Sequence, residues 1–320
     1  MFCILACLSF LFGGCDAASH SPRSGTSYAS PTATLALLGD IQLGRGVAQA
    51  HLDGGWEHIL RFLKRPLSRS SLAVGNLESP LSTAEIPDST SGYNLCAPSE
   101  GVLALTAAGI DLLSLANNHL DDCQPGGLDQ TRQILENAGL AGILPASAPA
   151  IKDVNGLQLA FLAFDDVSQP LDEPSAMEAV GQASLSADIV IVSMHWGAEY
   201  HAAPTDRQKT LARDFADAGA DLIWGHHPHV LQPLEYLPRP NGQSPALVAY
   251  SLGNALFDQR GSPQANRSAL LLLEIGSQGV QSFEIMPFEI DPLSGVVKSA
   301  SQESAQRITH VLEAWLDKEQ

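Results

Sequence analysis

Six apolar runs, each ending in a short cluster of polar and chemically capable side chains, constrain what this 320-residue chain can become. The runs occupy 34–38, 71–74, 112–116, 188–194, 222–224 and 246–252. Amphipathic stretches suited to helices lie between them, near 55–65, 99–108, 127–138, 173–183 and 205–218. Strands alternating with helices imply βαβ units and a largely buried sheet. Two hairpin signals make that sheet mixed. Asn155-Gly156, which favours a type I′ turn, separates 150–154 from 157–164, and Ser277-Gln278-Gly279 separates 268–275 from 281–290. An amphipathic stretch at 303–318 closes the chain as a helix. No repeat or internal linker divides the body, so a single α/β domain is expected over 32–293, with 294–320 packed on it.

Composition narrows the function. The chain is 45% hydrophobic and 16% charged, enough for a large core, and 35 acidic residues against 17 basic ones set a net charge of −18. That excess excludes a non-specific nucleic-acid surface or an anionic-membrane surface, both of which need basic clusters. An anionic substrate has to be held by a metal or by a few placed arginines.

The first 18 residues are an apolar run too short to cross a bilayer comfortably, followed by small residues, as in an export leader. Leu11-Phe12-Gly13-Gly14-Cys15 is similar to a bacterial lipoprotein box, with Phe12 a poor match. Lipid attachment at Cys15, cleavage after Ala17 or Ala18, and an uncleaved anchor are the alternatives. Residues 19–31, rich in Ser, Pro and Thr, read as a flexible spacer. The expected location is periplasmic or otherwise extracytoplasmic, with membrane contact only through the leader or its lipid. Cys96 and Cys123 remain in the body, either bridged or as two separate buried thiols.

The six polar clusters carry the chemistry. Gly225-His226-His227-Pro228-His229 places three imidazoles within four positions, and neutral imidazole is the commonest side-chain metal ligand. The others are Gly39-Asp40, Asn76-Leu77-Glu78, Asn117-Asn118-His119, His195-Trp196-Gly197 and Ser251-Leu252-Gly253-Asn254. Each alone has an ordinary explanation: Asp40 as a turn residue, Asn118 as a buried amide, His195 as a core histidine. Together they place two carboxylates, an amide and several imidazoles at strand ends. That oxygen and nitrogen set suits Mn, Fe or Zn, in number enough for one or two divalent ions.

Read in order, these strings resemble the capsule-synthesis CapA family of poly-γ-glutamate biosynthesis proteins. Gly39-Asp40-Ile41-Gln42-Leu43-Gly44-Arg45 is similar to its opening motif and Asn76-Leu77-Glu78-Ser79-Pro80 to its second. Ser114 through His119, with Asp121 and Gly126-Gly127-Leu128, resembles the third, and Ser193 through Tyr200 the fourth. Gly225 through Pro233 resembles the fifth and Tyr250 through Asp258 the sixth, so the likeness runs from about 33 to 290. The family is grouped with calcineurin-like metallophosphoesterases, which implies a sandwich of two mixed β-sheets flanked by helices. The resemblance implies metal ligation by Asp40, Glu78, Asn118, His195, His227 and His229, with His119 beside the leaving group. Two positions depart from the superfamily pattern. Gln42 stands where a histidine ligand is usual, and Glu78 where a bridging aspartate is usual, so one site lacks a nitrogen ligand unless His226 or another side chain substitutes.

Around this set, Arg45 is placed to clamp an anionic group, and Asp121 to orient His119. Glu199, His201 and Asn254 are placed to support ligands, and Trp196 and Tyr200 to wall the cleft or simply to pack. Two functions fit. One is an exported metal-dependent hydrolase of the phosphoesterase type, acting on a phosphoester or an anionic polymer, with a γ-glutamyl amide also open. The other is a non-catalytic envelope component that binds or hands on polyglutamate beside membrane synthesis proteins.

Overall fold

The computed structural model describes residues 31–84, 93–123 and 126–316. The expected leader, and all of the expected spacer except its last residue, lie outside them. The described chain opens with β1 (Thr32–Ile41), and α1 (Arg45–Ala50), α2 (Trp56–Ile59) and α3 (Arg61–Leu67) lead to β2 (Leu72–Leu77). A small ribbon of β3 (Leu81–Ser82) and β4 (Ala97–Pro98) follows, then α4 (Val102–Ala108), β5 (Leu112–Ser114), α5 (Gly127–Asn137) and β6 (Ala141–Ile143). The middle of the chain forms β7 (Ala150–Val154), β8 (Leu157–Asp165), α6 (Glu173–Ser184), β9 (Ile189–His195) and α7 (Asp206–Ala218). It continues through β10 (Leu222–His226), β11 (Leu231–Leu237) and β12 (Ala246–Leu252). The last part is β13 (Asn254–Leu256), β14 (Arg267–Gly276), β15 (Gly279–Ile290), β16 (Val297–Ser299) and α8 (Gln302–Glu313).

Two mixed sheets result, flanked by helices. The first runs β16-β15-β14-β1-β2-β5-β6, with β13 added beside the end of β1, and the second runs β11-β12-β10-β9-β8-β7. Strands β1, β2, β5 and β6 are mutually parallel, as are β8, β9, β10 and β12, and the antiparallel strands lie outside these blocks.

Side-chain parity explains why the runs read as continuously apolar. Successive residues of a strand face opposite sides, and here both sides are covered. Leu35 and Leu37 of β1 meet Ile189 and Ile191 of β9 and Leu247 and Ala249 of β12 in a core between the sheets. Ala36 and Leu38 face a second core closed by Ile59, Leu63, Leu105 and Leu135 of the first sheet's helices. Val190, Val192 and Val248 face a third, under Val180 of α6 and Leu211 and Phe215 of α7. Helix α7 is fixed at its start by a capping box between Thr205 and Gln208. Helix α8 inserts Ile308 and Leu312 into the core between the sheets. Among the described residues, no helix is long and apolar enough to cross a membrane.

The sheets meet at one edge. The chain leaves β12 at Leu252, turns through Gly253 (φ 64°), and pairs as β13 with the end of β1, Asp40 opposite Asn254. The Asp40 amide donates to the Gly253 carbonyl at 2.9 Å. Gly39 makes the approach possible, since a Cβ there would lie 1.9 Å from the same carbonyl oxygen.

Candidate metal centre

Every polar cluster singled out in the sequence falls at this edge, at or just beyond the carboxyl ends of the parallel strands, where open α/β sheets bind ligands. Asp40 ends β1 and Glu78 follows β2, while Asn117-Asn118-His119 lies beyond β5. His195 ends β9, His226 ends β10 and Asn254 opens β13. Asp40, Glu78, His195, His226 and Asn254 have no solvent exposure, and His227 and His229 are nearly as buried.

Glu78 sits at the middle. Its Oε1 lies 3.6 Å from His229 Nε2, 3.7 Å from His119 Nε2 and 3.9 Å from His195 Nε2. Asp40 is gripped from several sides: by Asn76 Nδ2 at 2.8 Å, by the His227 amide at 3.1 Å, and by Nδ1 of His226 and His229 at 3.1 and 3.4 Å. Asn118 Oδ1 is 2.8 Å from His195 Nε2, and Asn254 Oδ1 is 2.9 Å from His229 Nδ1. Asn117 ties the clusters together, donating to the Leu77 carbonyl and accepting from the His119 amide.

Three donor groups can each hold a metal ion: Asp40 with Glu78 and His229, Glu78 with His195 and His227, and Glu199 with His227 and His229. Within each, the ligand atoms lie within 4.8 Å of one another. The first two share Glu78. The residues fit a divalent cation on a second count. Both Glu78 oxygens and Nδ1 of His195 and His227 are buried without a hydrogen-bond partner, and such orphans are costly unless something else occupies them.

Electrostatics follow from this crowding. Burial opposes charge on Asp40, but hydrogen bonds and charges from His226 and His229 outweigh it and hold the carboxyl well below its usual range. Burial pushes Glu78 up to about 8, against the His229 charge. Burial likewise opposes charge on His229, yet Glu78 and Asp40 raise it to about 9. Burial and the His229 charge push His227 down to about 4, and burial with the His227 charge lowers His195 well below its usual value. His195 and His227 are therefore neutral at physiological pH, as ligation requires.

The surrounding residues sort differently from the sequence expectation. Asp122, not Asp121, holds His119: its Oδ2 is 2.8 Å from His119 Nδ1 and accepts the Leu95 amide at 2.5 Å, while Asp121 is exposed. Sequence reasoning missed Asp122, because nothing local distinguishes it from its neighbour and its place depends on the Leu95 amide. Cys96 and Cys123 form a disulfide that ties the Leu95 segment to this loop. Gln42 is fully buried with neither amide atom partnered. Arg45 pairs with Asp258 and lies 5.4 Å from the Phe257 ring centroid. Trp196 is core, stacked on Tyr250 and donating to its carbonyl, whereas Tyr200 is 46% exposed at the cleft. Glu199 and His201 are exposed, and it is the His201 carbonyl that accepts a bond, from Gln232.

Backbone strain concentrates here. Six non-glycine residues have positive φ among the described residues. Asn155 serves the hairpin, but His227 (90°) and His229 (58°) are candidate ligands, and Arg45 (45°), Tyr200 (62°) and Ala146 (45°) line the cavities beside them. Such conformations cost about 1–3 kcal/mol each and cluster at functional sites.

Comparison with known proteins places this arrangement. The chain is 33% identical over 293 residues to the PGA biosynthesis protein CapA of Bacillus subtilis strain 168, covering 85% of this chain and 75% of that one. It is 31% identical over 285 residues to the capsule biosynthesis protein CapA of Bacillus anthracis, covering 80% and 67%. It is 26% identical over 252 residues to a probable polyglutamine synthesis accessory protein of Mycobacterium tuberculosis, covering 67% and 64%. A hypothetical protein of Thermus thermophilus shares the fold, with a TM-score of 0.53 at 17% identity over 80% of this chain and 99% of that one. The family model described as bacterial capsule synthesis protein PGA_cap matches residues 34–259, a span that holds every residue of the cluster, and the chain belongs to that family.

Proposed function

We propose that this protein is an exported, metal-dependent hydrolase acting on an anionic envelope polymer of the poly-γ-glutamate kind. The observation that supports it most is the pair of donor groups sharing Glu78, whose two buried oxygens have no hydrogen-bond partner. The relatives named for PGA, capsule and polyglutamine synthesis support the polymer.

In this reading Asp40, Glu78 and His229 hold one divalent ion, and Glu78, His195 and His227, with Asn118 beside them, hold a second. Mn, Fe and Zn all suit the donors. Bound there, such ions supply positive charge at the scissile bond and lower the pKa of a water molecule. His119 is set to give its proton to the leaving atom, because Asp122 engages Nδ1 and leaves Nε2 facing the cluster. Export places the body outside the cytoplasm, with the leader or a lipid at Cys15 as its membrane contact and synthesis proteins as its partners.

Gln42 favours a second reading. With an amide where a histidine ligand is usual, the Asp40 position is poorer in nitrogen, and the cleft would then bind or hand on polymer without cleaving it. Metal analysis of the purified chain, with turnover assays on a phosphodiester and on poly-γ-glutamate, tests both. The hydrolase reading expects about one equivalent or more of metal and turnover of at least one substrate. His227→Ala with His229→Ala abolishes metal binding, and full retention in that variant overturns the ligand assignment.

A further inference from the structure

Two cavities with different charged linings border the cluster. Next to the cluster lies a cavity of about 890 Å³ bordered by Arg45, Tyr200, Asp258, Gln259, Arg260 and Ser262. It adjoins the candidate ligands directly. The Tyr200 ring is 6.2 Å from that of His229, and Phe257, which carries Arg45, is 4.8 Å from it. Its volume falls in the range of small-ligand sites, about 300–1,000 Å³. A second cavity, about 590 Å³, reaches the cluster at Asn118, is lined by Asp121, Asp165 and Asp172, and has no Lys or Arg in its lining.

The two arginines differ in state. Arg45 is already paired with Asp258, whose other oxygen accepts the Gly46 amide at 2.9 Å. Arg260 is exposed and, among the described residues, has neither an ion pair nor a hydrogen bond. Its loop is nonetheless positioned. Gln259 Nε2 donates to the Tyr200 hydroxyl at 2.9 Å, and Asn266 Nδ2 donates to the Gln259 carbonyl at 2.9 Å. A free guanidinium on an anchored loop, beside a centre built for a divalent cation and in a chain of net charge −18, offers fork-shaped recognition of a carboxylate.

We propose that Arg260, backed by the Arg45–Asp258 pair, forms a carboxylate-binding subsite, and that an acidic polymer lies on this side of the centre only. The aspartates of the second cavity repel an anionic arm, so one end of the bound chain stops near the centre while the other runs past Arg260. This rests on the reading that the cluster acts on, or binds, a polymer of acidic residues. It adds which side the polymer occupies and which residue selects its charge.

The test is calorimetric binding of a defined γ-glutamate decamer to the full chain loaded with Mn or Zn, at about 0.15 M salt. For Arg260→Gln, Kd rises about five- to ten-fold at unchanged metal content, the dependence of Kd on salt becomes shallower, and Arg260→Lys recovers part of the affinity. Asp172→Asn changes Kd less than about twofold. A decamer with its carboxylates amidated binds weakly to wild type and is indifferent to Arg260→Gln. Equal Kd for wild type and Arg260→Gln, a comparable loss in Asp172→Asn, or no decamer binding by wild type overturns the proposal. Arg260-dependent binding without turnover keeps the subsite and removes the hydrolase, while turnover with Arg260-independent affinity does the reverse.

Discussion

At the scale of single residues, the centre is a set of conflicts that a bound cation would relieve. Glu78 is the sharpest: buried, without a hydrogen-bond partner, and raised to about 8 chiefly by burial. A carboxyl whose folded value lies above its unfolded one binds its proton more tightly in the native state. The ion-free protein therefore loses stability as pH rises from the usual carboxylate range through about 8. His229, raised to about 9, adds a loss of the same sign above the usual histidine value. Denaturant unfolding of chelator-treated protein should show less stability at pH 8.5 than at pH 6.5, and Glu78→Gln should flatten that difference. On the catalytic side, His119→Ala should keep metal and fold while turnover falls about 10²–10⁴-fold, less for a nitrophenyl leaving group. Asp122→Asn should follow it in part and Asp121→Asn not at all. Asp40, Glu78, Asn118 and the histidines were legible in the sequence because each follows an apolar run. The choice between two adjacent aspartates was not, since it depends on where the Leu95 amide meets the loop.

At the scale of elements, the strands that were easiest to read are those with both faces covered, such as β9 and β12. Their unbroken apolar runs have few other uses. Strands β11 and β13 were unreadable for opposite reasons. The first carries Gln232, Pro233 and Glu235 on an edge, and the second is three residues defined only by its partner β1. Helix α1, six residues directly after Gly44, left no periodic signal. The close crossing of β1 over Gly253 makes Gly39→Ala a severe test of this seam. A Cβ placed 1.9 Å from backbone oxygen forces strands apart, and a loss of at least about 1–3 kcal/mol with reduced metal content is expected in unfolding and metal assays. The Cys96–Cys123 bridge, closing 27 residues, should be worth about 2–4 kcal/mol. Paired serine substitutions should lower the midpoint of thermal unfolding, and a thiol titration of the unreduced native chain should find neither cysteine free.

At the scale of the whole molecule, binding of a cation would be coupled to folding, because the candidate ligands come from both sheets. Asp40 and Glu78 belong to the first, and His195, His227 and His229 to the second. A cation that binds only the native state stabilises it by about 2.7 kcal/mol at a hundred times its Kd. Chelation should lower the thermal midpoint, and titrating Mn or Zn back should restore it in a concentration-dependent way. The alternating runs made a mixed sheet with helices legible, and the division into two sheets came only from the CapA resemblance. The strand order was not, because nothing local records that the chain returns to the first sheet after finishing the second.

That return has a practical consequence for dividing the chain. Residues 31–147 carry four parallel strands of the first sheet but not their antiparallel neighbour β14, and residues 148–316 carry β14 without β1. Each half-chain exposes an unpaired strand edge and an uncovered apolar face, so neither should fold alone. Produced together, they should reassemble through β1, β13 and β14, and cobalt absorbance should report the centre only in the mixture. A half-chain that bound cobalt alone would show that the two sheets are more independent than their shared seam implies.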